Sequence, residues 1–386
     1  MAKKRVLFSI GSLGGGGAER QVIQYLTHLD RSQFEPVLYL TKREGPFLSE
    51  VPDDVPIASF EERVALPRWN FPGAIYRLQV QDFRKFLIEQ QIDLVCAVTI
   101  MNVLVAGEAI KSVNRPWLAV SMADLRNELK RELGRFSTIK HHKLSRAFRA
   151  ADRVIAVSTG DREGLFACHQ VDPEKTFIVP NSVDIERVET LASELSPNWD
   201  PHQFHIVLAG RLTHQKGHRF LIEAIDQIVH QQDLKQVQLH LLGQGELGSE
   251  LKELVRALNL EDHIEFAGFI NNPFPILKAA DLFCLPSLYE GMPLILLEAM
   301  ACGVPIVATD CPSGPRELLE DGKYGKLVTP ENSGELASAI TKAIENSAWR
   351  EEVSRSAKEH VAEKYESNVT VHQLENHLLE IAHSEG

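Results

Sequence analysis

Apolar residues in the first half of the chain fall into short runs: Arg5–Ile10, Pro36–Leu40, Asp93–Val98, Trp117–Ser121, Arg153–Val157 and Thr176–Val179. Several are almost unbroken Val, Ile and Leu. That pattern marks strands covered on both faces, since a half-exposed strand would alternate with polar residues. Stretches such as Glu19–Leu29 and Asp82–Gln91 lie between the runs and repeat their apolar positions at helical spacing. Strands alternating with helices predict βαβ units and parallel sheet, an α/β fold.

The alternation breaks between Leu191 and Phe204, where Ser196-Pro197 and Asp200-Pro201 interrupt the chain and apolar periodicity fades. Such a segment reads as a linker or domain edge. A second series then begins, with strands expected at His205–Ala209, Val237–Leu242, His263–Phe266, Leu282–Leu285, Val304–Ala308 and Lys326–Val328. From Gly334 to Ala382 the pattern is helical. Two doubly wound halves place ligands at the carboxyl ends of their strands, in a cleft between domains.

A length of 386 residues suits two domains, each able to bury its own core. The net charge of −12 is unevenly spread: residues 1–180 hold 25 Lys and Arg against 21 Asp and Glu, and residues 181–386 hold 16 against 32. An acidic second half argues against nucleic acid as partner, while a basic first half suits an anionic surface or substrate. The five cysteines are scattered without C-x-x-C spacing, so neither a disulfide framework nor a zinc site is expected. No apolar run approaches the ~18–20 residues that cross a bilayer, and Val6–Ile10 is short for a signal-peptide core. A cytoplasmic protein is expected.

Three segments carry candidate chemistry. Gly11-Ser12-Leu13-Gly14-Gly15-Gly16-Gly17 lies between a strand and a helix, where glycines let backbone approach a ligand and the helix start favours an anion. A tight turn explains it equally well. It lacks the full G-x-G-x-x-G spacing, and no Lys-Ser/Thr follows as in a P-loop. Gly210 to Gly217 follows the first strand of the second half and places Arg211 and Lys216 on one loop, a fork and a point charge suited to pyrophosphate. Solvated loop charges are the alternative. The sharpest segment is Glu290-Gly291-Met292-Pro293-Leu294-Ile295-Leu296-Leu297-Glu298. Pro293 is read as the first residue of a helix. Glu290 then lies on the loop before it, with amides of Gly291, Met292 and Leu294 available to a ligand. Glu298 falls within the apolar stretch Leu294–Ala301, where a charge needs a partner.

Together these segments resemble the family-4 glycosyltransferases: a glycine-rich first loop, a G-R-x-x-x-x-K-G segment and an E-x7-E motif, in that order. Val179–Asp184, Leu242–Glu246, Phe266–Phe269 and Ala301–Ala308 add to the resemblance, which is looser between Thr41 and Asp93. It implies the GT-B fold: an acceptor-side Rossmann-like domain over 1–186, a nucleotide-sugar domain over 187–366, and a final helix at 367–386 returning to the first domain. It implies retaining transfer of a hexose or N-acetylhexosamine from a UDP-sugar to a glycan, without a resident cofactor. By resemblance, Arg211 and Lys216 hold the diphosphate, Glu298 the ribose hydroxyls, and Glu290 sits by the transferred sugar. Backbone around Gly268, Phe269 and Ile270 meets the base. Amides of Gly291 to Leu294 bind sugar and phosphate, and Gly15 and Gly16 close over the donor. Metal-dependent transferases use Asp-x-Asp to neutralise the leaving group. That triplet is absent, so the two cations are expected to do this work with no metal.

One departure is notable. Many relatives carry a His after the strand matching Trp117–Ser121; here the loop reads Ser121-Met122-Ala123-Asp124-Leu125-Arg126-Asn127, making Asp124 and Arg126 the acceptor-side candidates. His214 and His218 are four apart, but no Glu follows His214, so a zinc-protease motif is absent. The stretch Arg126 to Arg149 interleaves eight cations with apolar residues, which suits contact with an anionic membrane or a lipid-diphosphate acceptor, or an ordinary surface helix. Asp310-Cys311-Pro312-Ser313-Gly314-Pro315-Arg316-Glu317 resembles transferases that build lipid-linked oligosaccharides. The competing readings are a sugar-nucleotide epimerase, a phosphorylase of the same fold, and a non-catalytic nucleotide-sugar-binding protein.

Overall fold

A computed structural model describes residues 3–66, 73–122, 126 and 137–383. The chain divides into two compact units, one of residues 1–182 with 367–386, the other of 183–366. The sequence put the first boundary after residue 186.

In the first unit the described residues form a seven-stranded sheet in the order β3-β2-β1-β4-β5-β6-β7, with every pair parallel. The strands are β1 (Lys4–Ile10), β2 (Phe34–Leu40), β3 (Ile57–Ser59), β4 (Leu94–Val98), β5 (Trp117–Ser121), β6 (Arg153–Ala156) and β7 (Thr176–Ile178). Successive side chains point to opposite faces, so each strand feeds two cores. Leu7 joins one with Phe83, Val103 and Phe148 from the helices Ala74–Glu89, Ile100–Ala109 and Ser137–Ala150. Val6, Phe8 and Ile10 join the other with Val22 and Leu26 of helix Gly17–His28. This second core is completed from the far end of the chain. Val371, Leu374, Leu378 and Ile381 of helix Ser367–His383 enter it, all buried. β3 was not expected: it has only three residues and lies at the sheet edge, too short for a hydrophobic pattern to show.

In the second unit the described residues form a six-stranded parallel sheet, β10-β9-β8-β11-β12-β13. Its strands are β8 (Phe204–Ala209), β9 (Val237–Leu242), β10 (Ile264–Gly268), β11 (Leu282–Leu285), β12 (Ile306–Thr309) and β13 (Lys326–Val328). All match the expected runs within two residues at either end. In each sheet the order of strand addition reverses beside the first strand, between β1 and β4 and between β8 and β11, the arrangement that opens a crevice at the strands' carboxyl ends.

Candidate active site

The functional segments of the second unit all leave the carboxyl ends of its strands, and backbone hydrogen bonds lace them together. After β8, the Gly210 amide donates to the Leu242 carbonyl at 2.9 Å and that of Leu212 to Gln244 at 3.0 Å. The Gly243 amide in turn donates to Gly268 at 2.7 Å, joining the β9 and β10 loops. Leu212, buried, anchors the first loop in the core. Beside it Arg211 is exposed, and its guanidinium makes no ion pair among the described residues. A cation held on a fixed backbone without a carboxylate partner is available to an anionic ligand.

Lys216 is placed by the loop after β11. The turn His214–Lys216 ends at Gly217, whose φ is +64° and whose absent Cβ would lie 2.0 Å from the Pro286 carbonyl oxygen. Only glycine fits that approach. The Leu288 amide donates to the Gln215 carbonyl at 2.8 Å, and Gln215 Nε2 donates to the Tyr289 carbonyl at 3.0 Å. This double bond between loops sets Lys216 Nζ 2.6 Å from Glu290 Oε1. Ser287 Oγ donates to the same oxygen at 2.6 Å. Glu290 is buried, and its burial is tolerable because a cation and a hydroxyl both meet it. Behind the pair, Thr309 at the end of β12 donates to the Ser287 carbonyl. Ser313 Oγ donates to the Gly291 carbonyl at 3.0 Å.

The helix after Glu290 runs from Leu294 to Cys302, with Pro293 as its extended cap residue at φ −70°, ψ 107°. Pro293 was expected inside the helix; it stands one position before it, where its missing N–H likewise costs nothing. Glu298 is half-buried. Burial pushes the Cys302 thiol up to about 12, and the Glu298 charge adds to the rise. Gly268, at φ +73°, ends β10 where its register with β9 slips. Phe269 beyond it is half-exposed and Ile270 partly buried. His218 is a further neighbour. It is buried, neither ring nitrogen has a hydrogen-bond partner among the described residues, and burial, with the Lys216 charge second, lowers its pKa to about 4. The imidazole is neutral at pH 7.

In the first unit, Gly15 and Gly16 precede helix Gly17–His28, with Gly16 as its cap residue. Arg126 Nη2 donates to the Gly160 carbonyl at 3.3 Å. Asp124 lies outside the described residues, as does much of the basic stretch. The part in helix Ser137–Ala150 exposes Lys143, Arg146 and Arg149. Among the described residues no three His, Cys, Asp or Glu side chains gather into a metal site, and no helix is long and apolar enough to cross a membrane.

The structure thus brings Arg211, Lys216, Gly268, Phe269, Ile270, Glu290, Gly291, Met292, Pro293 and Leu294 to one edge of one sheet, with Glu298 one further turn into the helix. The sequence reading missed Ser287, Gln215, Thr309 and Ser313. Ser287 stands three residues before Glu290, a spacing that could have flagged it.

Comparison with known proteins finds matches to both units. A model described as Glycosyltransferase Family 4 matches residues 15–187, and one described as Glycosyl transferases group 1 matches 203–346. The chain belongs to the group 1 glycosyltransferases. Among curated members it is 32% identical over 222 residues to the N-acetylgalactosamine-N,N'-diacetylbacillosaminyl-diphospho-undecaprenol 4-alpha-N-acetylgalactosaminyltransferase of Campylobacter jejuni, covering 58% of this chain and 59% of that one. It is 29% identical over 206 residues to the UDP-Gal:alpha-D-GlcNAc-diphosphoundecaprenol alpha-1,3-galactosyltransferase of Escherichia coli, covering 52% and 53%. The chain therefore spans little more than half the length of these relatives. Among solved structures, Anabaena HepE in complex with UDP superposes with a TM-score of 0.79 at 25% identity, over 98% of this chain and 100% of that one. Sucrose-phosphate synthase of Thermosynechococcus elongatus shares the GT-B fold, with a TM-score of 0.82 at 20% identity over 98% and 99%.

Proposed function

We propose that this group 1 glycosyltransferase transfers a hexose or N-acetylhexosamine from a UDP-sugar to a lipid-linked glycan, with retention and without a metal ion. The observation that carries the reading is the pair of cations at the β8 loop: Arg211 exposed and without an ion pair among the described residues, Lys216 held at 2.6 Å by a buried carboxylate. When the sugar–phosphate bond breaks, the leaving nucleoside diphosphate gains negative charge. Two preplaced cations stabilise that charge more than the ground state; in other enzymes one such group is worth about 2.7–4 kcal/mol. Glu290 fixes Lys216 and sits by the transferred sugar. The amides of Gly291 to Leu294 bind sugar and phosphate, Glu298 accepts from the ribose hydroxyls, and the backbone of Gly268 to Ile270 meets the base. Gly15 and Gly16 contact the donor, with Asp124 and Arg126 on the acceptor side. Transfer is front-face: the bond from the anomeric carbon to phosphate oxygen breaks, the bond to the acceptor oxygen forms on the same side, and the departing phosphate takes the acceptor proton. HepE, crystallised with UDP, supports the choice of nucleotide, and the diphospho-undecaprenol acceptors in the relatives' names support the acceptor class. Peripheral contact with an anionic membrane through Lys143, Arg146 and Arg149, which are exposed, fits such an acceptor.

The test is calorimetric binding of UDP together with turnover of a UDP-sugar panel, with and without chelator. Arg211→Ala is expected to lower kcat by about 10²–10³-fold, and Glu298→Ala to weaken UDP binding with a smaller effect on kcat. Wild-type-like behaviour of both variants, or turnover abolished by chelator and restored by magnesium, refutes the proposal.

A further inference from the structure

The glycine-rich loop of the first unit is held from behind. Leu13, buried, donates its amide to the Glu44 carbonyl at 2.9 Å, and the Lys42 amide donates to Gly11 at 2.9 Å. The Phe47 amide closes the set on the Leu13 carbonyl at 3.4 Å. The contact is so close that a Cβ on Gly45, whose φ is +119°, would lie 2.0 Å from the Leu13 oxygen. The loop thus rests on the segment 42–47 as on a splint. That splint is bolted to the helix the loop leads into. Arg20, one turn into helix Gly17–His28, stacks its guanidinium 3.7 Å above the Phe47 ring centroid. It also forks onto Glu50, Nη1 to Oε2 and Nη2 to Oε1, the latter at 3.1 Å. Its side chain is 9% exposed and that of Glu50 26%. A two-point contact of this kind fixes orientation, where a single charge fixes only proximity.

We infer that Arg20 and Glu50 are positioning residues for transfer: their ion pair presets the glycine loop before any ligand arrives. The inference rests on the reading that Gly15 and Gly16 touch the donor, and it adds how they are brought to bear. On this inference Arg20 and Glu50 act through the loop rather than on the substrate. Their effect is geometric, and small displacements of positioning groups have large consequences; about 1 Å costs up to ~10²-fold in rate.

Three readouts test this in the full-length protein. In Arg20→Met, amide hydrogen exchange of residues 11–17 is expected to rise by about tenfold or more while β4 and β5 keep their protection. The variant's kcat is expected to fall by about 10–100-fold. Its UDP dissociation constant is expected to stay within about twofold, because the proposed contacts to base and ribose lie in the second unit. Glu50→Gln keeps the shape and loses the charge, and should fall between wild type and Arg20→Met in both exchange and kcat; it serves also if Arg20→Met does not fold. Unchanged exchange at 11–17 together with unchanged kcat overturns the inference, as does a fall in kcat that follows a loss of UDP affinity. If the wild type binds no UDP, the proposed function fails. The exchange measurement still decides whether the pair presets the loop.

Discussion

Replacing Lys216 by Met separates what the Lys216–Glu290 pair does for the fold from what it does for catalysis. Lys216 Nζ lies 2.6 Å from Glu290 Oε1, and their side chains are only 14% and 6% exposed. Removing the cation leaves a carboxylate buried with the Ser287 hydroxyl as its remaining described donor. Breaking a buried pair from one side costs about 3–5 kcal/mol, and the Ser287 bond places this case near the lower end. A domain of this size loses about 2–4 °C in Tm per kcal/mol, so a drop of roughly 6–12 °C is expected for the second unit. Adding Glu290→Gln removes the stranded charge and should return most of the lost Tm. Turnover should behave differently. Under the proposed function Lys216→Met removes a cation from the leaving diphosphate, an expected fall of about 10²–10³ in kcat, and the double variant should not recover it. Differential scanning calorimetry and initial rates on a UDP-sugar measure the two effects on the same preparations. The reasoning is refuted if the single variant melts like wild type, or if Glu290→Gln restores turnover as well as stability.

Two further outcomes follow from buried groups away from that pair. His218 is held neutral by burial, its pKa lowered from 6.5 to about 4, so the unfolded chain binds more protons between those values and stability must fall as pH drops from about 6.5 toward 4. The His218 share of that loss is about 3 kcal/mol, and a His218→Phe variant followed by urea denaturation at pH 7.5 and 5 should lose less between the two; an unchanged difference speaks against a neutral buried ring. Leu378 is fully buried in the core that the last helix shares with β1, so Leu378→Ala should destabilise the first unit by about 2–5 kcal/mol. UDP affinity, whose proposed contacts lie in the second unit, should not move, and a variant that loses UDP binding without losing stability contradicts this assignment.

The amino-acid order by itself determined the elements and marked the loops that carry the candidate site. Short Val, Ile and Leu runs alternating with helical stretches fit inner strands, so twelve of the thirteen described strands were legible, as was their parallel arrangement. β3 escaped because a three-residue edge strand carries no period. Arg211, Lys216, Glu290 and Glu298 were legible because charges on glycine-bounded loops, or inside an apolar helix, must answer to something. Their partners were not legible. The Lys216–Glu290 contact spans 74 residues, and Arg20 meets Glu50 across a strand and two loops. Such pairs depend on which strands become neighbours. β8 beside β11 brings Gly217 under Pro286, and β1 beside β2 brings Leu13 under Glu44. A local pattern reports what a residue needs. Only the folded sheet order decides which distant residue supplies it, because burial of a charge is settled by whatever the three-dimensional packing sets within about 3 Å of it.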